Sequence, residues 1–242
     1  MPRFFKENFE AEPFLEGADA NHISRSLRMR VGEALTVSDS KGTDFNCVIS
    51  SVANDRIGLE IKEIKPSESE PDVKVTLCTC LLKGDKFESV IRHSVELGVS
   101  EIMPVLSTNC VSRPDAKSLK SKGERWQKIA NEAAGQCGRG ILPTLLPTTE
   151  LNTLAKNFSD YDLVLFFYEV GGEPLGETLW DNDSAKKIAI ITGPEGGFTA
   201  KEAETLALAG AKTISLGKRI LRAETAPLAA LTGVMLLTDN LE

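Results

Sequence analysis

Histidine is nearly absent from this chain: His22 and His93 are the two among 242 residues. So few imidazoles leave a Ser-His-Asp or Cys-His catalytic pair unsupported, and no metal centre is expected. The five cysteines, at 47, 78, 80, 110 and 137, are odd in number and irregularly spaced, which argues against a disulfide framework. Cys78-Thr79-Cys80 has no second pair to complete a metal site, so the thiols are expected in the core. Long apolar runs are missing too. The longest, Ala226 to Leu237, is too short to cross a bilayer. Met1 to Glu10 is charged and lacks the apolar centre of a signal peptide, so a cytoplasmic enzyme is expected. GxGxxG and GxxxxGK[ST] do not occur, which removes the usual dinucleotide and P-loop phosphate cradles.

What is present is ordinary for a globular protein: 41% hydrophobic and 26% charged residues. Residues 1 to about 65 read as a small β-rich domain. His22 to Met29 suggests a short helix. Strands follow at Ala34–Asp39, Phe45–Ser51 and Ile57–Ile64, with turns at Ser40-Lys41-Gly42 and Asn54-Asp55. Several short strands with regular turns suggest a small barrel. Lys65 to Asp72 is polar, holds two prolines and has a linker composition. Beyond it the rhythm changes to strand–helix–strand. Strands are expected at Val73–Leu82, Glu101–Leu106 and Asp162–Tyr168. Helices are expected around Phe87, Val90, Ile91 and Val95, and over Trp126–Gln136. This alternation argues for a mainly parallel α/β sheet.

The stretch from Ile188 to Ala226 organises the second region. Ile188 to Ile191 is a buried-strand run, broken by Gly193-Pro194-Glu195-Gly196-Gly197. Thr199-Ala200-Lys201-Glu202 reads as a capping box, opening a helix that stops at Gly210. A strand over Thr213–Leu216 then ends at Gly217. Two glycine-bearing loops at strand ends mark the place where α/β sheets bind ligands. Glu195 disfavours phosphate there, so a neutral or cationic ligand fits better. The alternative is a tight turn with no ligand. A last helix is expected over Glu224–Leu237, apolar over a wide arc, with Pro227 in its first turn.

The net charge of −7 cautions against nucleic-acid binding, but its distribution is uneven. Between Asn109 and Leu142 seven Lys/Arg face three acids, a local +4. Arg25, Arg28 and Arg30 form a second cluster with no acid between His22 and Gly32. Each cluster taken alone reads more readily as a solvated face.

ITGPEGGFT followed by LGKRILRAETA resembles the RsmE family of ribosomal RNA methyltransferases, in the SPOUT superfamily. HISRSLRMRVGEALTVSD resembles that family's amino-terminal RNA-binding barrel. LLKGDKFESVIRHSVELGVSEIMPV resembles its first strand–helix–strand unit, and RWQKIANEAAGQCGR a further helix. The likeness runs in family order over nearly the whole chain. One departure is His93, near a position where family members commonly carry lysine.

The resemblance implies an α/β fold: a carboxy-terminal SPOUT-type, mainly parallel sheet with a trefoil knot, preceded by a small PUA-like β-barrel. The barrel would span residues 1–68 and the methyltransferase domain 72–242. In the knot, the chain after Leu216 would pass through an earlier loop. The implied cofactor is S-adenosylmethionine, cationic and free of phosphate, in accord with Glu195. Its implied contacts are Tyr168, Glu169, Thr192, Gly193, Pro194, Glu195, Gly196, Gly197, Leu216, Gly217, Ile220 and Leu221. Gly196→Val is expected to block the cofactor and leave the fold intact. The implied reaction is methylation of uridine N3 in 16S rRNA, in the decoding region of the small ribosomal subunit. Arg222 is the candidate for stabilising charge on the uracil, and Glu224 is either the base or the residue that orients Arg222. Arg3, Arg25, Arg28, Arg30, Lys83, Lys86 and Arg139 are the candidate RNA contacts. A homodimer with the site at its interface is implied, the last helix packing there. The competing readings are a non-catalytic RNA-binding protein of this fold, or a SPOUT methyltransferase acting on another RNA.

Overall fold

The computed structural model describes every residue except Asn54 and Glu242. Asn54, expected in a turn with Asp55, therefore lies outside the described residues. The chain forms two units: Met1–Glu70 with Ala134–Leu142, and Pro71–Ala133 with Pro143–Glu242.

The first unit contains β1 (Arg3–Phe5), β2 (Phe14–Glu16), α1 (Gly17–Asn21), β3 (Ala34–Ser38), β4 (Thr43–Val52) and β5 (Arg56–Pro66). They form one sheet in the order β1-β3-β4-β5-β2. In β4, Phe45, Cys47 and Ile49 turn inward with a strand's period of two. Register shifts at Asn46/Cys47 and Ile49/Ser51 keep these long strands curled around the core. That core gathers Phe9, Leu15, Ile23, Leu35, Val37, Phe45 and Ile57. The helix expected over His22–Met29 begins earlier, at Gly17, and continues as a wider π-turn over His22–Ser26. Ala20 and Ile23, three residues apart, are its buried anchors.

Two expected RNA contacts are occupied within this unit. Arg3 donates to Asp44 Oδ2 at 2.8 Å, and the Asp44 side chain is only 4% exposed. Arg139, with a side chain also 4% exposed, pairs with Glu70 at 2.7 Å. The Glu70 carboxylate further accepts the N–H groups of Gly140 and Ile141 at 2.8 and 3.0 Å. Buried charges need such partners, so neither guanidinium is offered to a ligand. Ser67 N–H bonds Gly42 O at 2.8 Å, so the stretch that reads as a linker is tied down at both Ser67 and Glu70.

The second unit begins with β6 (Lys74–Cys80), α2 (Lys86–Glu96), β7 (Glu101–Leu106) and α3 (Ala116–Cys137), whose last turn belongs to the first unit. Then come β8 (Thr144–Leu145), β9 (Thr149–Glu150), α4 (Leu151–Ala155), β10 (Leu163–Phe167), β11 (Glu173–Pro174) and α5 (Leu175–Trp180). The chain closes with β12 (Lys187–Thr192), α6 (Ala200–Leu208), β13 (Lys212–Ser215) and α7 (Ala226–Leu237). The sheet runs β11-β13-β10-β12-β6-β7-β8, with β9 also paired to β7, and every pairing is parallel. β10 and β12 are continuous apolar runs because helices cover both faces of such a sheet.

α2 buries Phe87, Val90, Ile91 and Val95, the face its spacing predicts. The capping box at Thr199 and Glu202 forms in both directions. α7 buries Ala230, Leu231, Val234 and Met235, while Leu236 and Leu237 stay 49% and 39% exposed. α3 starts ten residues before the expected Trp126, through turns that bury no residue. Cys47, Cys78, Cys80 and Cys110 are buried as expected, but Cys137 is exposed. Among the described residues no helix is long and apolar enough to cross a membrane.

Candidate active site

β13, β10, β12 and β6 are neighbours in a parallel sheet, so their carboxyl ends open on one edge. The chain leaves β10 through Tyr168 and Glu169, β12 through Gly193–Gly197, and β13 through Leu216–Arg222. These three loops line a cavity of about 610 Å³, with Phe167, Lys86, Ala223, Glu224 and Ala226 completing it. Every expected cofactor contact lies on its wall, as do Arg222 and Glu224. The volume suits a small organic ligand.

The glycines divide by what surrounds them. A Cβ at Gly193 would stand 2.9 Å from the Phe198 ring, and one at Gly196 2.9 Å from Asn109 Cβ. Gly197 has φ +63°, and its Cβ would collide with the Glu169 carboxylate. Gly193 and Gly196 are thus fixed by the protein's own packing, and Gly197 by its left-handed backbone. The expectation that Gly196→Val leaves the fold intact is therefore corrected: the valine would drive into the Asn109 segment. Gly217 differs. Its φ is +93° and nothing lies within 4 Å of a Cβ there, so its open side is free for a ligand.

The Gly193–Gly197 loop is also held by hydrogen bonds. Asn109 Nδ2 donates to Gly196 O at 3.0 Å and Gly197 O at 3.1 Å. Glu195 Oε1 accepts Lys83 N–H at 3.0 Å. Beneath it, Thr192 Oγ1 bonds Thr79 Oγ1 at 3.0 Å across β12 and β6. Asn109 carried no signal in the sequence, because its partners lie 87 and 88 residues away.

The polar end of the cavity holds an ion pair that motif spacing did not reveal. Lys86 Nζ sits 3.1 Å from Glu224 Oε2. Lys86 was expected on RNA; the fold turns it to the cavity through the first turn of α2. The Glu224 carboxyl is held below its usual range, first by its own backbone N–H, then by Lys86 and by the charge of Arg222. Arg222 itself is exposed, and no ion pair engages its guanidinium among the described residues. Arg25, Arg28, Arg30 and Lys83 are exposed, the three arginines together in the first unit and Lys83 in the second.

Sequence and structure comparisons agree with this geometry. Residues 68–235 match the model of the RNA methyltransferase domain, and residues 15–62 that of the RNA methyltransferase PUA domain. The chain thus belongs to the RNA methyltransferases. Ribosomal RNA small subunit methyltransferase E of Bacillus subtilis (strain 168) is 32% identical, with 100% of this chain and 98% of that protein covered. A crystal structure of the same-named protein from Neisseria gonorrhoeae, bound to S-adenosyl methionine, superposes with a TM-score of 0.88 at 31% identity, covering 98% of each chain. A putative methyltransferase from Legionella pneumophila, in complex with bound SAM, gives 0.84 at 27% identity, covering 98% of this chain and 97% of that one. Within the RNA methyltransferases, this chain belongs to the ribosomal RNA small subunit methyltransferase E family.

Proposed function

We propose that this protein methylates N3 of a uridine in 16S rRNA, with S-adenosylmethionine as methyl donor. The cavity at the sheet's carboxyl edge carries this reading. Its open side at Gly217 is a cradle that a Cβ would fill, and Glu195 stands among the glycines of the β12 loop. The bound ligand of the Neisseria relative supports the same choice. Tyr168, Glu169, Thr192–Gly197, Leu216, Gly217, Ile220 and Leu221 would hold the cofactor, which supplies an electrophilic methyl group.

The chain's own residues then handle the uracil. N3 of uridine carries a proton and pairs in a duplex, so the base must be unpaired or flipped, and the proton must leave. Arg222, with its guanidinium free on the cavity wall, stabilises the charge that grows on O2 or O4. Glu224 suits a positioning role better than that of base. A carboxylate of lowered pKa is a weak base, whereas it orients Lys86 and draws Arg222 electrostatically.

The first domain, residues 1–68 in this reading, grips RNA through Arg25, Arg28 and Arg30, while 72–242 carries the chemistry. We further propose that the carboxy-terminal fold is knotted after Leu216. The working form is a cytoplasmic homodimer meeting partly through the exposed end of α7, acting on rRNA within the small ribosomal subunit. Mass mapping of ribosomal RNA nucleosides from a deletion strain tests the central reading: 3-methyluridine should vanish and return on complementation. An unchanged level would sink it. Light scattering tests the dimer, a mass near the 26.2 kDa monomer counting against it.

A further inference from the structure

The first turns of α3 are built against their own stability. From Ala116 to Glu124 no residue is buried, and Leu119 is the single large apolar side chain. Lys117, Lys120 and Lys122 are exposed, and none forms an ion pair among the described residues. Cations near a helix amino terminus oppose the macrodipole. Lys117 and Lys120, three apart, also repel each other along one face. The pattern differs further down the same helix, where Arg125 pairs with Glu88 at 2.7 Å and Lys128 with Glu132 at 3.8 Å. A solvated helical face interleaves opposite charges in that way. The amino-terminal segment does not, within a chain of net charge −7.

Its position is fixed at both ends by neighbours of the cavity. Upstream, Asn109 bonds the carbonyls of Gly196 and Gly197, and the Arg113 guanidinium bonds those of Ser107 and Thr108. Asp115 Oδ1 then caps the helix start at Ser118 N–H, 2.8 Å away. Downstream, the Trp126 ring lies 4.6 Å from that of Phe87, which follows Lys86 on the cavity wall. The exposed turns, roughly 14 Å long at helical rise, thus stand beside the cavity edge of the sheet.

We infer that Lys117 and Lys120 form a phosphate-gripping arm that holds the RNA backbone beside the active site. This rests on the RNA-substrate reading above. The ammonium groups of Lys117 and Lys120 share one face and have no ion-pair partner among the described residues, whereas Lys122 lies 5.9 Å from the Trp126 ring centroid on another face; neutralising phosphates on the first face releases counterions. Contacts of this kind fix register on the substrate without reading its bases.

The test measures binding of a 16S rRNA transcript as a function of salt, between about 50 and 200 mM, for the wild type and for a double Lys117→Ala, Lys120→Ala variant. The salt slope should become shallower by about one unit per lysine, with cofactor affinity unchanged and the melting temperature not lowered, since alanine relieves the charge repulsion at the helix start. The matching double lysine-to-arginine variant should keep the wild-type slope. Wild-type binding with an unaltered slope in the alanine variant overturns the arm while sparing the substrate reading. A wild type that takes up neither the transcript nor the small ribosomal subunit overturns both. A slope that falls equally in the arginine variant also overturns the arm, because charge would then not be what matters.

Discussion

Two walls of one cavity follow opposite rules. At the end of β12, each glycine of Gly193–Gly197 faces a neighbour that a side chain would strike, and Asn109 and Lys83 bond the loop in place. At the end of β13, Gly217 faces open space, Ile220 is 82% exposed, and Lys218 to Leu221 make no hydrogen bond among the described residues. The first wall is finished before any ligand arrives. The second is shaped for something that completes it. A glycine motif by itself does not distinguish these cases; what occupies the space around each Cα does.

Arg222, at the end of the open wall, gives the largest expected effect. Arg222→Ala should slow single-turnover methylation by about 10²–10³, the usual loss for one preorganised donor, with cofactor and RNA affinities near wild type. If affinity falls in step with rate, Arg222 is scaffold and the open wall has lost its catalytic group.

A paired substitution separates the walls directly. Gly217→Val should cut cofactor affinity by roughly two orders of magnitude, while its left-handed backbone costs only about 1–3 kcal/mol of stability. Gly196→Val should instead lower the melting temperature more than any change in affinity explains. Calorimetry and thermal melts on both variants read the contrast, and identical behaviour would erase it.

A smaller effect is expected from Asn109→Ala. Two hydrogen bonds at about 0.5–1.5 kcal/mol each should translate into roughly a tenfold loss of cofactor affinity and a modest drop in melting temperature. Titration showing unchanged affinity would mean that the β12 loop keeps its form without Asn109.

The smallest effect concerns Glu224. Its folded-state carboxyl titrates below the ordinary range, so its stabilising contribution is present above the unfolded-state value and is lost as pH falls through the lowered one. For a pair this exposed, the contribution is below about 1 kcal/mol. Glu224→Gln should flatten that part of the acid limb of stability. An acid limb identical to wild type would show that Lys86 gains nothing from the pair.

The elements that read clearly from the sequence are those whose signal is local. The β12 run, the Thr199–Glu202 capping box and the buried face of α2 each depend on residues within a few positions of one another. α3 was missed before Trp126 because its first turns bury nothing and so carry no period. Among site residues, the cavity-lining loops were legible through glycine spacing and family likeness. Asn109 and the Lys86–Glu224 pair were not, since their partners stand 87 to 138 residues away. Arg3 and Arg139 read as surface cations because nothing nearby in sequence announces Asp44 or Glu70 as partners.

The clasp between Glu70 and Arg139 also sets a schedule for synthesis. The amino-terminal unit takes in Ala134–Leu142, so its first 70 residues emerge from the ribosome without the strand of chain that seals them. Elongation at about 5–20 residues per second imposes a wait of roughly 3–14 seconds before Arg139 can meet Glu70. During that interval all five strands of the unit's sheet are already made, but Glu70 stands without its guanidinium partner until β6, α2, β7 and α3 have followed. The order of translation is thus not the order of folding: the first unit to begin depends on residues made in the middle of the second.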